Sequence, residues 1–259
     1  MILQSTVIVW ENASGFTRMQ DTIKEAQQRF ADMLIAFNAS DVDKRQTYQR
    51  YLSFQYHLTR GVQQYFMRIA ASDKLARKRK LRKFFYDFAN EEELHYLVAG
   101  SDLAALKMKV LPQPFEVALW HSYFDRVTDE RPFLRVGAAI VLENISDGVA
   151  RPHVKQALSS DFLDRGNTKF LVLHQHETLP HGDQLIEAIT QADLSDADID
   201  DLCLGAQQGM VMYLRMAQWA LSPDPADNLG ANVYAPARAV DEAEIDRFTM
   251  RDLAAVEDS

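Results

Sequence analysis

The chain has 259 residues, 47% of them hydrophobic, so it can bury a sizeable core in one large domain or two small ones. A formal net charge of −9 argues against general nucleic-acid binding, and a single cysteine, Cys203, excludes an intrachain disulfide and fits a reducing compartment. The first residues lack the pattern of a signal peptide, and no segment is apolar over the length of a membrane span. The sequence therefore predicts a cytoplasmic protein that binds neither nucleic acid nor membranes.

Scarce glycine and proline, with 10 and 8 residues, and long apolar stripes at helical spacing predict an all-α protein. ILQSTVIVW predicts a short strand or an ordered arm. Eight helical segments follow, with breaks possible near Asn90 and at Pro180: about 14–37, 43–69, 72–109, 114–127, 132–148, a short one from 152, 167–192 and 197–221. Residues 222–240 predict an irregular loop and 241–259 a short C-terminal helix. The prediction is a single all-α domain over 1–259, a bundle of about seven or eight helices.

A basic run interrupts this acidic chain between Lys74 and Lys83, where seven of ten residues are Lys or Arg. Such a run is typical of a solvated helix face. The alternative is a docking patch for an anionic partner, such as an acidic carrier protein.

Glu92 and His95 are the first candidate metal ligands. The apolar pattern places both on one face of a predicted helix, and residues three apart on a helix are neighbours that can reach one metal ion. Glu-x-x-His is the motif that di-metal helical bundles use. The alternative is that residues 91–93, all Glu, form an acidic run at a helix start, where carboxylates favour the positive end of the dipole.

Glu143 is a second candidate, because it shares a predicted helix face with Val136 and Ile140. A carboxylate on such a face needs a partner, either a metal ion or a buried cation. Arg151 and Arg215 are the candidates for a buried ion pair.

His174, Glu177 and His181 form the third group, in FLVLHQHETLPHGDQLIEAI. They lie three and four residues apart on an otherwise apolar face, and neutral imidazole with carboxylate suits iron. His57, on another predicted helix, is a further ligand, a substrate contact or a hydrogen-bonded core histidine, and the last is favoured.

The order of these three segments resembles that of the heme-oxygenase-like diiron oxidase family. EEELHYLVAGSDLAAL resembles the family's Glu-x-x-His helix, RVGAAIVLENISDG its central helix with a buried Glu, and FLVLHQHETLPHGDQL its late helix, written His-x-x-x-Asp-x-x-His. The similarity covers roughly residues 45–220. It implies a heme-oxygenase-like bundle and two iron ions, with manganese as the alternative metal, held by Glu92, His95, Glu143, His174 and His181.

One position departs from the family pattern. Thr178, a poor iron ligand, stands where the family has its Asp. Glu177 can replace it if Pro180 rotates the helix; otherwise one iron position is weakened or lost. The first-helix Glu of some members is also missing, with His57 or Gln55 near its expected place.

Other families on this fold do different chemistry. The thiaminase II family uses a mid-chain Cys nucleophile, and Cys203 lies too late in the chain; heme oxygenase binds heme through a His near the N-terminus, and the first His here is His57. The cofactorless oxidase of quinone-cofactor synthesis uses His, Arg and Tyr without a metal and is the closest competitor.

The resemblance implies an oxygen-activating non-heme diiron oxidase or oxygenase, with O2 and a small amine, amino acid or fatty acid as its substrates. Phe54, Tyr96, Trp120 and Tyr213 are candidate pocket walls. The alternatives are the cofactorless oxidase and a non-catalytic helical binding or interaction protein. Substrate identity and oligomeric state are not readable from the sequence, and a homodimer is one option.

Overall fold

The computed structural model describes the backbone of residues 3–173 and 180–221, and the side chains of residues 15–171 and 180–221. The predicted loop over 222–240 and the predicted helix over 241–259 lie outside the described residues. The single-domain assignment for 1–259 stays a prediction.

Every regular element among the described residues is helical, which agrees with the all-α prediction. Two short 3-10 turns, Asp73–Leu75 and Gly148–Ala150, accompany the α-helices. In chain order these are α1 (Leu3–Ala39), α2 (Lys44–Thr59), α3 (Val62–Ala71), α4 (Arg79–Glu91), α5 (His95–Ala105), α6 (Phe115–Val127), α7 (Pro132–Asn144), α8 (Arg151–Ala157), α9 (Lys169–Leu173), α10 (His181–Thr190) and α11 (Asp196–Leu221). None of the described helices is both long enough and apolar enough to cross a bilayer.

Three helix starts differ from the sequence prediction. The predicted helix over 43–69 is divided at Arg60 and Gly61, so α3 begins at Val62. α1 begins at Leu3, so the predicted strand or arm is wrong, since these residues continue the helix and no strand lies among the described residues to pair with them. The predicted helix over 72–109 is divided: Ser72 caps only a 3-10 turn, and α4 then begins at Arg79. A turn over 92–94 separates α4 from α5, the restart that the sequence left open near Asn90.

Several helix starts are explained by capping chemistry. Asp43 accepts hydrogen bonds from the backbone N–H groups of Arg45 and Gln46 at the start of α2. Pro132 occupies the first turn of α7, where its missing N–H costs nothing. Ser195 and Asp198 exchange side-chain and backbone hydrogen bonds at the start of α11.

α7 is the central helix of the fold. All ten residues from 132 to 141 are buried, and the helix contacts α1, α3, α6, α10 and α11. Its closest contact is with α11, where the backbones touch: a Cβ added to Gly137 would lie 2.0 Å from the carbonyl oxygen of Leu202, and one added to Gly205 would lie 1.9 Å from that of Leu134. Only glycine fits at such an approach.

Two groups of buried side chains surround a cavity of about 200 Å³. The larger group is built mainly on α1, α3, α4, α7 and α11, and the smaller one on α2, α5 and the start of α9. The cavity wall draws on both, through Phe30 and Phe66 from the larger group and Tyr48 and Phe170 from the smaller. The exposed residue Arg151 also belongs to the wall, so the cavity reaches the surface.

Candidate metal centre and its cavity

Three side chains from separate elements meet at the wall of this cavity: Glu92, Glu143 and His181. One ligand atom from each lies within 4.8 Å of the other two. Glu92 and His181 are only 3% and 5% exposed, whereas the Glu143 side chain is 20% exposed. Buried carboxylates of this kind require a cation or hydrogen-bond donors nearby.

The fold brings these residues together through three helix ends. Glu92 lies in the turn that follows α4, Glu143 in the last turn of α7, and His181 is the first residue of α10, directly after Pro180. α10 packs on both α7 and α4, so its first residue reaches the carboxylates at their ends. The break predicted at Pro180 therefore places His181 at the site.

Glu92 is the centre of the cluster. Its Oε2 accepts a hydrogen bond from Nδ1 of His95 at 2.9 Å, and its Oε1 lies 2.8 Å from Nδ1 of His181. The same His181 Nδ1 lies 3.9 Å from Oε2 of Glu143, and its Nε2 lies 3.6 Å from Oε2 of Glu91. The rings of His95 and His181 are stacked, with centroids 5.7 Å apart.

Charge pairing governs protonation in this cluster. Burial would raise the pKa of Glu92, but the two imidazoles, His95 and His181, hold it well below its ordinary value. Burial opposes the charging of His181, yet Glu92, with Glu91 and Glu143, raises its pKa to about 11. The pKa of His95 is also raised, because the effect of Glu92 exceeds that of burial. Imidazolium groups thus balance the carboxylates here.

The donor set fits a transition-metal ion. Two carboxylates and an imidazole are ligands that iron and manganese accept, and their approach to within 4.8 Å of one another is compatible with a shared ion. A cation at this point would replace the imidazolium charge, since a ligating imidazole must be neutral. The three residues account for one ion; a second would need further ligands.

Of the other predicted ligands, His95 lies within the described residues. His95 contacts the group through Glu92. Glu92 and His95 do not share one helix as predicted, because the chain turns between them, yet their side chains still meet. His174 and Glu177, and with them Thr178, lie outside the described residues.

The structure also describes the surroundings of Glu143 and His57. Arg151 pairs with Asp147 and Arg215 is exposed, so the carboxylate of Glu143 faces His181 instead. Nε2 of His57 is hydrogen-bonded to the carbonyl oxygen of Leu111 at 2.8 Å, and burial lowers its pKa, which agrees with a hydrogen-bonded core histidine.

Of the four aromatic residues predicted as pocket walls, Tyr213 lines the cavity. Gln55 donates a hydrogen bond to its hydroxyl at 3.1 Å. Phe54 packs edge-on against the Tyr213 ring from behind, with centroids 5.9 Å apart. Cys203 lies elsewhere, in the contact between α11 and α1, where its thiol donates to the carbonyl oxygen of Gly15 and burial raises its pKa.

Arg135 is a cavity residue that the sequence analysis missed. It lies on α7 two turns before Glu143, is 2% exposed and belongs to the cavity wall. The segment PFLRVGAAIVLEN contained the signal, because an Arg in a continuously apolar helix needs a buried partner just as the Glu does. Burial lowers its pKa to about 10, opposed by Tyr65 and the carboxylates of the site, so it remains charged at neutral pH.

The basic run is largely solvated. Arg77, Arg79, Lys80, Arg82 and Lys83 are exposed, while Leu75 and Leu81 anchor the segment in the core. A carrier protein as its partner stays a prediction.

No family model matches the chain, and no curated protein matches it either. One solved structure is similar: a domain of unknown function with a heme oxygenase-like fold from Shewanella denitrificans, with a TM-score of 0.63 and 20% sequence identity. The match covers 87% of this chain and 98% of that one. The chain therefore has a heme-oxygenase-like fold, which confirms the predicted fold class and the resemblance at the level of the fold.

Proposed function

We propose that this protein is an oxygen-activating non-heme diiron oxidase or oxygenase that acts on a small organic substrate in the cavity. The observation that supports the proposal most directly is the buried group of Glu92, Glu143 and His181 on a heme-oxygenase-like bundle. A purely structural ion pair would not need two carboxylates and an imidazole at the wall of a cavity, with a second imidazole hydrogen-bonded to one of the carboxylates. Such sites are where proteins place metal ions and perturbed titratable groups.

Bound iron would supply the reduction of O2, and the protein would supply ligand geometry and a shielded cavity. Glu92, Glu143 and His181 would bind one ion directly. His95 would orient Glu92 through its hydrogen bond, as residues behind a ligand do in metal sites. The second ion of the proposal relies on His174 and Glu177, with manganese as the alternative metal. The cytoplasmic location and O2 as co-substrate belong to the same proposal.

The test measures iron and thermal stability together. Protein purified without chelators is analysed for metal, and its melting temperature is measured with and without anaerobic Fe(II). A metal that binds only the native state stabilises it by mass action, so we expect a rise in melting temperature and up to two irons per chain. Because His181 faces both carboxylates, His181→Ala should remove most of this rise.

His153→Ala is the matched control, since this histidine lies on α8 and is not part of the cluster. It should retain the full response to iron. If wild-type protein neither retains iron nor gains stability, the diiron proposal fails, and the cofactorless oxidase or a non-catalytic binding protein replaces it. Iron binding that His181→Ala leaves intact would instead show that His181 is not a ligand.

A further inference from the structure

Arg135 is held in an unusual environment on the cavity side of α7. Its guanidinium carbon lies 5.2–5.4 Å from the ring centroids of four aromatic side chains: Tyr65, Phe66, Trp120 and Phe124. Cation–π contacts of this kind fix the plane and position of the group. They surround the guanidinium with aromatic rings, none of which carries a carboxylate or carbonyl acceptor for its N–H groups.

Those donors have no acceptor among the described residues. Nε and Nη1 of Arg135 are both buried and make no hydrogen bond there. Buried polar groups nearly always have a partner, and an exception calls for an explanation such as a ligand. A carboxylate accepts two adjacent N–H groups of the planar guanidinium side by side, one on Nη2 and the other on Nε or Nη1, so it would give one of these two buried atoms a partner.

The surrounding wall favours an apolar ligand. Phe30, Leu34, Val62, Phe66 and Ala139 line the cavity together with Arg135. A polar ligand would leave its own groups unsatisfied against these side chains. The other lysine and arginine side chains of the wall already have partners, Lys44 in the carbonyl oxygen of Phe37 and Arg151 in Asp147. The combination of the buried Arg135 with a largely apolar wall is complementary to a molecule that carries one anionic end on a hydrocarbon body.

The alternative is that Arg135 only balances the charge of the metal centre. Glu92 and Glu143 do interact with it electrostatically, but neither accepts a hydrogen bond from it. His95 and His181 already contact Glu92 directly. Charge balance therefore leaves the buried N–H groups of Arg135 unexplained.

We infer that Arg135 binds the carboxylate of an apolar carboxylic acid, which places the carboxylate of the ligand at Arg135 and its hydrocarbon body along the cavity wall. This names the substrate class of the oxidase proposed above and depends on that proposal only for the fate of the bound ligand. Arg135 lies eight residues before Glu143, which corresponds to a rise of about 12 Å along α7. The part of the ligand that reaches the metal centre is thus several bonds away from its carboxylate.

The experiment compares octanoate with octan-1-ol and octylamine, three probes of equal chain length that differ in charge. Their affinities are measured by isothermal titration calorimetry with chelator-treated protein and again with Fe(II)-loaded protein. We expect octanoate to bind at least tenfold more tightly than either other probe in both forms. No preference for octanoate in either form overturns the inference. A preference that appears only with Fe(II) also overturns it, because the carboxylate then binds the metal.

Arg135→Met tests the residue itself. It removes the cation and keeps the apolar bulk, so octanoate should bind no better than octan-1-ol, while the melting temperature stays the same or rises, since burying an unpaired charge is unfavourable. Arg131→Met, at the residue directly before α7, removes an ion pair with Asp201 outside the cavity and should leave the preference intact. An Arg135→Met protein that folds and retains the full preference overturns the assignment.

A second measurement serves if Arg135→Met does not fold. In wild-type protein labelled at arginine, the Nε–H signal of Arg135, assigned with Arg135→Lys, should shift on addition of octanoate and not of octan-1-ol. The absence of such a shift overturns the inference. If octanoate binds through Arg135 but no iron binds, the carboxylate site stands and the diiron proposal fails, so the two are separable.

Discussion

The two sides of α7 differ in how they are packed. On the side of α11, Gly137 and Gly205 bring backbone against backbone, with no space for even one more carbon atom. On the cavity side, Arg135 and Glu143 bring charge into a space that is not filled by side chains. One helix therefore combines a rigid contact with an open polar wall. The tight packing lies on the first side and the candidate site on the second.

The difference indicates how the polar wall is tolerated. Burying an arginine and a carboxylate is unfavourable unless they are paired, and the dense contact with α11 can offset that cost. Changes on the two sides should consequently have different outcomes. Substitutions at the glycine contact should lower stability without changing ligand preference, whereas Arg135→Met at the wall should change ligand preference without lowering stability.

The largest effect should come from Gly205→Ala. Alanine normally stabilises a helix relative to glycine by about 1 kcal/mol, but here its Cβ would overlap the carbonyl of Leu134. We expect the free energy of unfolding to fall by about 4 kcal/mol, because helix backbones must move apart. Urea denaturation measures this change.

Gly166→Ala is the control for this prediction. A Cβ at Gly166 would meet only the carboxylate of the Asp164 side chain, which can move aside, so its effect should stay within about 1 kcal/mol. Equal stability of Gly205→Ala and wild type would show that α7 and α11 do not touch as described.

Glu92→Gln should have the next largest effect. The carboxylate contacts both His95 and His181, and removing its charge leaves two buried imidazoles without their main counter-charge. We expect a loss of about 3 kcal/mol at pH 7 in metal-free protein. Glu93→Gln is a matched control one residue away, since Glu93 is exposed and should change stability by less than about 0.5 kcal/mol. A similar loss in both variants would contradict a buried cluster at Glu92.

The sequence was sufficient to predict α7 and its carboxylate, because a long apolar run with one Glu has few other interpretations. The local pattern was not sufficient to name the partner of Glu143, which only the resemblance placed in one ligand set with His181. Glu143 faces His181 instead of an arginine, and that pairing depends on how α10 packs on α7, which no local pattern contains. The turn between α4 and α5 was also ambiguous, because both the continuous and the broken helix satisfy the same apolar spacing.

Arg135 illustrates a different limit. Its residue type and its place in an apolar helix were visible, but its four aromatic neighbours come from α3 and α6, far away in the sequence. Sequence spacing predicts which residues are neighbours on one helix, but not which side chains of three different helices meet. Glu91 is similar: in the sequence it belongs to an acidic run, and only the fold directs it to His181.

The smallest of the three stability effects should be pH-dependent and concern Asp102, on the α5 side of the fold. Burial raises the pKa of this carboxyl to about 6, although it accepts a hydrogen bond from the backbone N–H of Phe170 at 2.9 Å. Its ordinary pKa is about 3.9. The protonated form is therefore favoured by folding, and the stability it contributes is complete below about pH 4 and is lost as the pH rises through 6.

Asp102→Asn cannot ionise, so it should be more stable than wild type at pH 7 by about 1–2 kcal/mol, below the roughly 3 kcal/mol that a two-unit shift allows. The advantage should shrink as the pH falls to 4, as followed by urea denaturation at several pH values. Asp161→Asn, at an exposed position, should show no such trend. An advantage for Asp102→Asn that grows toward low pH would contradict the burial of this carboxyl.

The glycine contact has a consequence for how this scaffold can change. α7 is held against α11 through backbone atoms. The distance between the backbone positions of Arg135 and Glu143 is therefore set by helix geometry and does not change when side chains adopt other rotamers. Inserting or deleting a single residue between them would rotate Glu143 by about 100° around the helix axis, away from His181. Ligands of a different length must therefore be accommodated by substitutions on the facing helices, such as α1 and α2, which makes those helices the place to redesign the cavity.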